Sequence, residues 1–140
     1  MEQLSSNYSV LDQVRIPRWV SFHPEFREEH PGFCDASQKA FGAAIYALIE
    51  MGHTTMVHFL MAKTRVSPVK TLSLPRLELC EALLLSETAE ASLPSKPWLT
   101  SKLYCWTDTT IVLAWLAKPA YHWTTFIVNR VTKITNWYHI

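Results

Sequence analysis

Three carboxylates in the chain stand where chemistry can be done. Asp35 closes the short apolar run Gly32-Phe33-Cys34, and Asp108 closes a second run, Leu103 to Thr107. Between them Glu78 falls in the expected first turn of a helix that starts after Pro75. If the two runs are neighbouring parallel strands, about 4.8 Å apart, their terminal Asp side chains converge outside the carboxyl edge of a sheet, where α/β folds place ligands. Three clustered carboxylates repel one another unless cations sit among them, and an all-oxygen donor set suits Mg²⁺ or Mn²⁺ rather than zinc. Two such ions roughly 4 Å apart would activate a water and stabilise the leaving oxygen in phosphodiester hydrolysis. Each acid also has a plainer reading. Asp108 before Thr109-Thr110 suits a helix N-cap, Glu78 in a first turn complements the helix dipole, and Asp35 ends a strand.

The elements that must position these acids are legible in the pattern. Residues 1–31 are polar and broken by Pro17, Pro24 and Pro31, which predicts an irregular arm ahead of a domain over 32–140. From Gly32 to Asp35, from Phe41 to Ile49 and from Met56 to Ala62 the chain reads as three strands, the last two joined as a hairpin through Glu50-Met51-Gly52-His53. Leu77, Cys80 and Leu84 trace a helix running to about Ala91. Leu103 to Thr107 is a fourth strand, Ile111 to Ala117 a short helix stopped by Pro119, and Trp123, Ile127, Val131 and Ile134 mark one face of another. Trp137-Tyr138-His139-Ile140 reads as the start of a fifth strand. The order β-β-β-α-β-α-α-β predicts an α/β fold, with three antiparallel strands leading by a helical crossover to parallel ones, and helices covering the sheet faces.

Composition agrees with one packed domain. The 140 residues are 49% hydrophobic and 18% charged, with only 3 Gly, which excludes a disordered or low-complexity chain. A net charge of +1 supplies no overall field toward nucleic acid or membrane, so any such binding comes from local patches. Cys34, Cys80 and Cys105 form no CxxC pair and sit in apolar runs, as reduced core thiols of an intracellular protein do. The N-terminus lacks the basic start and apolar run of a signal peptide. The uncharged stretch Ala40 to Ile49 falls far short of the roughly 20 residues of a membrane span.

Lys63, Arg65 and Lys70 after the third strand, together with Lys39, are candidates for contact with a nucleic-acid backbone, or else ordinary solvated charge. His58 and His139 lack a metal-ligand partner at helical or hairpin spacing, which argues against zinc. Trp106, Trp115, Trp123 and Trp137 fall on core-facing patterns. Ser37 has neither a base nor an oxyanion arrangement beside it, so a serine hydrolase is a poor reading.

Four strings carry a family resemblance: Gly32-Phe33-Cys34-Asp35-Ala36-Ser37; Ala62-Lys63-Thr64-Arg65-Val66 leading into Leu74-Pro75-Arg76-Leu77-Glu78-Leu79-Cys80; Trp106-Thr107-Asp108-Thr109-Thr110-Ile111-Val112-Leu113; and Phe126-Ile127-Val128-Asn129-Arg130-Val131. In this order, over roughly residues 11–140, they resemble the ribonuclease H-like region of BEL/Pao retrotransposon polyproteins. Arg15-Ile16-Pro17-Arg18 resembles the junction from the reverse transcriptase.

The resemblance implies a ribonuclease H-like mixed five-stranded sheet. It also implies a two-metal nuclease, with two Mg²⁺ or Mn²⁺ ions, that degrades the RNA strand of RNA/DNA hybrids during reverse transcription. The family's acids fall on Asp35, Glu78 and Asp108. Its fourth acid lies in an Asn-Pro-Ala-Asp motif after the fifth strand, which the sequence does not reach at Ile140, so weak or absent cleavage is the expectation for this chain. The implied partners are the hybrid and the reverse transcriptase portion of the same polyprotein, in a cytoplasmic retroelement particle with access to the nucleus. The alternative is a non-catalytic nucleic-acid-binding or connection-type scaffold. An integrase or transposase core would place its Glu after the second Asp, whereas the order here is Asp, Glu, Asp.

Overall fold

The computed structural model describes residues 13–15, 20, 23–92 and 102–138. Among them lie strands β1 (Arg27–Ala36), β2 (Ala40–Met51), β3 (Thr54–Val66) and β4 (Lys102–Trp106). The helices are α1 (Leu74–Ser92), α2 (Thr110–Leu116) and α3 (Thr125–Tyr138), with a single 3₁₀ turn at Ala120–His122. The strands form one mixed sheet in the order β3-β2-β1-β4. β1, β2 and β3 pair antiparallel, and β4 joins β1 in parallel after the crossover through α1.

β2 shows why this sheet forms. Phe41, Ala43, Ile45, Ala47 and Ile49 alternate toward the core and are no more than 7% exposed, the period of a strand with one buried face. Gly52 closes the β2–β3 hairpin with a φ of 63°, a left-handed conformation that suits glycine. α1 lays Leu77, Leu84, Leu85 and Ala89 onto the inner sheet face against Phe41, Ala43 and Ile45. A second cluster joins Leu79 on α1 to Val112 on α2 and to Ile127, Val131 and Ile134 on α3. α2 and α3 therefore pack chiefly against α1, and meet the sheet around a small cavity of about 70 Å³ lined by Cys34, Cys105, Leu113, Leu116 and Ile134.

Helices were expected on both sheet faces, but among the described residues all three gather on one. The opposite face presents Pro31, Phe33, Tyr46, Leu48, Tyr104 and Trp106 to solvent, and Trp106 is 61% exposed rather than buried. Its parallel pairing with Phe33 puts it on the outer side, while its neighbour Cys105 lines the inner cavity. As residues, Cys34 and Cys80 are half-buried but Cys105 is exposed, so the expectation of three core thiols holds only in part.

Two boundaries differ from the sequence reading. β1 starts at Arg27, inside the segment read as an irregular arm, because Glu28 and His30 point to the inner face and are buried against each other, with Nε2 to Oε1 at 3.0 Å. Pro31 sits in the same strand, and the β1–β2 ladder passes from Glu29↔Leu48 to Gly32↔Ile45 around it, as a residue without an N–H requires. The fifth strand expected at Trp137 is also replaced. Trp137 and Tyr138 complete α3, since Ile127, Val131 and Ile134 set a helical stripe that Trp137 extends at i+3. His139 and Ile140 lie outside the described residues. No helix among the described residues is long and apolar enough to cross a membrane.

Candidate active site at the carboxyl edge of β1 and β4

The parallel register decides where the two Asp residues stand. Phe33 pairs with Trp106, and the same offset of 73 residues carried two positions further sets Asp35 level with Asp108. Both are exposed at the carboxyl edge of adjacent strands. Asp108 is not the N-cap of α2: Thr109 takes that place with φ −96° and ψ 116°, and no side chain caps the helix.

α1 brings the helix acid to the same edge. Gly32 lies so close beneath the helix that a Cβ there would sit 2.9 Å from Cδ1 of Leu85. One helical turn back from Leu85 is Glu81, a displacement of about 6 Å that matches the roughly 6.6 Å from Gly32 to Cys34 along β1. Three residues further back, Glu78 stands on the same side of the helix, close enough for its charge to act on Glu81. α1 begins at Leu74, with the Leu77 amide donating to the Ser73 carbonyl at 3.1 Å, so Glu78 lies beyond the first turn, contrary to the sequence reading. It is half-buried.

Glu81 is the residue the sequence reading missed. It is fully buried, and among the described residues the only donor beside its carboxylate is the weak Cys34 thiol. Burial is the main cause that pushes its carboxyl up to about 8, the Cys34 thiol beside it works the other way, and the charges of Asp35, Asp108 and Glu78 push it further up. The Cys34 thiol is raised by burial first and then by Glu81, and it donates to the Trp106 carbonyl at 3.6 Å. A signal for Glu81 was present, because it falls at i+4 from Leu77 and i−3 from Leu84, a charge on a core stripe.

The basic candidates share this end of the sheet. Phe41 pairs with Arg65, Ala43 with Lys63, and the Ser67 amide donates to the Lys39 carbonyl at 2.9 Å, which ties the loop leading to Lys70 to the β1–β2 turn. Lys63 and Arg65 lie within β3, not after it as expected. Arg65 is engaged with Glu87 of α1 at 3.1 Å, while Lys39, Lys63 and Lys70 are exposed. Away from this edge, Phe126 is stacked by Arg130 at 3.6 Å and by Arg76 at 5.1 Å, which locks α3 to the start of α1. Trp115 and Trp123 pack edge to face at 6.5 Å.

Residues 1–109 match the family described as the Pao retrotransposon-like RNaseH-like domain. The chain belongs to this family. The match spans β1 to β4 and includes Asp35, Glu78 and Asp108, whereas the Phe126–Val131 string lies beyond it. No curated protein and no solved structure matches the chain. The four-stranded mixed sheet and three helices of this Pao-type domain are compatible with a ribonuclease H-like fold.

In donor chemistry alone, the acids at this edge suit a hard divalent cation. Asp35, Glu78 and Asp108 offer oxygen alone, and Glu81 is a poorly paired buried carboxylate behind them. Among the described residues no three such side chains are drawn together at metal-binding distance.

Proposed function

We propose that this Pao-type domain is a divalent-cation-dependent ribonuclease H that hydrolyses the RNA strand of RNA/DNA hybrids during reverse transcription of a retroelement. The observation that carries this reading is the parallel register that, continued by two residues, sets Asp35 level with Asp108, beside the helix α1 that carries Glu78. These three residues would hold Mg²⁺ or Mn²⁺, which supplies an activated water and charge stabilisation at the leaving oxygen. Asp35 and Asp108 are exposed, so they can present oxygens to a cation without taking charge out of water. Glu78, half-buried, approaches from the helix side. Lys39, Lys63 and Lys70 would meet the hybrid's phosphates, and a surface of this kind reads A-like shape and 2′-hydroxyls rather than sequence. Arg65 would do so only by leaving Glu87. In this reading the domain works beside the reverse transcriptase portion of its polyprotein, in a retroelement particle.

The test is cleavage of a labelled hybrid in Mg²⁺ and in Mn²⁺. Asp35→Asn and Asp108→Asn should each lower the rate at least about a hundredfold, some 2.7 kcal/mol in the barrier. A second reading, a nucleic-acid-binding scaffold without chemistry, is favoured by the spread of the acids in the described residues. Hybrid binding with no cleavage in either metal, unchanged by the two substitutions, selects the scaffold. Cleavage that survives both substitutions rejects the acid assignment.

A further inference from the structure

We propose that Glu81 is a second helix carboxylate of the cation site, a positioning residue whose carboxylate would take up the helix side of a cation held by Asp35 and Asp108. The inference rests on the reading of that edge as a cation site and adds a residue to it.

Three observations carry it. Glu81 is fully buried, and among the described residues no donor other than the weak Cys34 thiol beside it serves its two oxygens, although burying a carboxyl so poorly paired is unfavourable. Its i−3 neighbour is Glu78, so both carboxylates leave α1 on the same side. The turn of α1 that places Leu85 over Gly32 places Glu81 at Cys34, the residue before Asp35. A purely structural acid at this position would be expected to find a stronger donor than a thiol, just as Thr88 and Ser86 on the same helix find good acceptors in the carbonyls of Leu84 and Leu83 at 2.7 and 2.8 Å. Among the described residues no Lys, Arg or His forms an ion pair with Glu81; its charged neighbours are Asp35, Asp108 and Glu78, all acidic. A divalent cation at the edge is the partner of opposite charge that this arrangement admits.

The experiment is titration of the whole chain with Mn²⁺ by calorimetry, together with the rise in Tm that Mn²⁺ gives, for the parent, Glu81→Gln, Glu81→Leu and Asp35→Asn. Glu81→Gln keeps shape and hydrogen-bonding capacity while removing the carboxylate that a cation would need. It should bind Mn²⁺ at least about tenfold more weakly, and Glu81→Leu should be at least as stable as the parent without cation but lose most of the Mn²⁺-induced rise. A merely structural role predicts the reverse: an altered Tm without cation and an unchanged Mn²⁺ affinity. If Asp35→Asn abolishes binding while both Glu81 variants bind as the parent does, the role of Glu81 is overturned and the edge site stands. If the parent takes up no Mn²⁺, the edge site and the role of Glu81 fall together. If Asp35→Asn binds normally while Glu81→Gln does not, Glu81 is a ligand-side residue and the acid set of the proposed ribonuclease is wrong.

Discussion

Glu81 on α1 and Cys34 on β1 sit against each other beneath the strand ends that carry Asp35 and Asp108, and each raises or offsets the other's titration. The consequence is a stability that depends on pH in an unusual direction. The Glu81 carboxyl rises from an ordinary 4.5 to about 8 in the folded chain, chiefly through burial, so between these values the folded state holds a proton that the unfolded state has released. The stabilisation is complete below about pH 4.5 and is lost as pH rises through about 8. Asp35, Asp108 and Glu78 face the same group and reinforce the trend, because each disfavours a further negative charge. Denaturant unfolding across pH 5 to 9 should show stability falling for the parent, by at most about 1.4 kcal/mol per pH unit from this group. Glu81→Gln should flatten that slope, and a slope identical in the two chains would remove Glu81 as its source.

Much of this edge was legible in the sequence, for reasons that can be traced to particular residues. Asp35 and Asp108 were found because each stops an apolar run, and α1 because Leu77, Cys80 and Leu84 repeat at helical spacing. Glu81 was passed over because a charge on an apolar stripe reads as noise until burial is known. The start of β1 was hidden by Pro31, which normally argues against a central strand, and by Glu28 and His30, polar side chains that are buried against each other at 3.0 Å. The uncovered sheet face was not legible at all. Phe33, Tyr46, Leu48 and Trp106 are as apolar as core residues, and only the placement of α2 and α3 against α1 shows that no described element covers them.

That asymmetry of the two faces makes a stability prediction. Ile45 is fully buried against α1, whereas Val57 on the opposite face is 63% exposed. Ile45→Ala should cost about 2–5 kcal/mol, the usual range for emptying a packed aliphatic site. Val57→Thr should change stability by no more than about 0.5 kcal/mol, as surface substitutions do. Chemical denaturation of the two variants checks the pair, and a large loss at Val57 would mean that its face is covered in solution.

The close approach of α1 to β1 predicts a cost at Gly32. A methyl group there would meet Cδ1 of Leu85 at 2.9 Å and the Cys105 sulfur at 3.6 Å, so the leucine must move or the helix must lift. Gly32→Ala should destabilise by about 1–3 kcal/mol, the range for overpacking. Because lifting α1 also carries Glu78 and Glu81 away from the strand ends, Mn²⁺ binding should weaken in the same variant. The double variant Gly32→Ala with Leu85→Ala makes room for the methyl and should recover part of the cation affinity while losing further stability. Full Mn²⁺ affinity in Gly32→Ala alone would show that the helix does not move.

The basic residues beside the acids separate by what they already hold. Arg65 is bound to Glu87 at 3.1 Å with side chains 56% and 35% exposed, a half-open pair worth no more than about 1 kcal/mol after screening. Lys39 and Lys70 are exposed and lie on segments tied together by the Ser67 amide and the Lys39 carbonyl. If the hybrid lies across this end of the sheet, Lys39→Ala and Lys70→Ala should each weaken hybrid binding and make its dependence on log salt shallower by about one for each phosphate left without its lysine. Folding should be untouched, since neither side chain is buried. Arg65→Ala should instead lower stability slightly and leave the salt slope as it was, because its charge is already engaged by Glu87. Fluorescence anisotropy with a labelled hybrid over a salt series, beside a thermal melt of each variant, distinguishes the two behaviours. A salt slope reduced by Arg65→Ala but not by Lys39→Ala would move the nucleic-acid interface from the β1–β2 turn to the outer edge of β3.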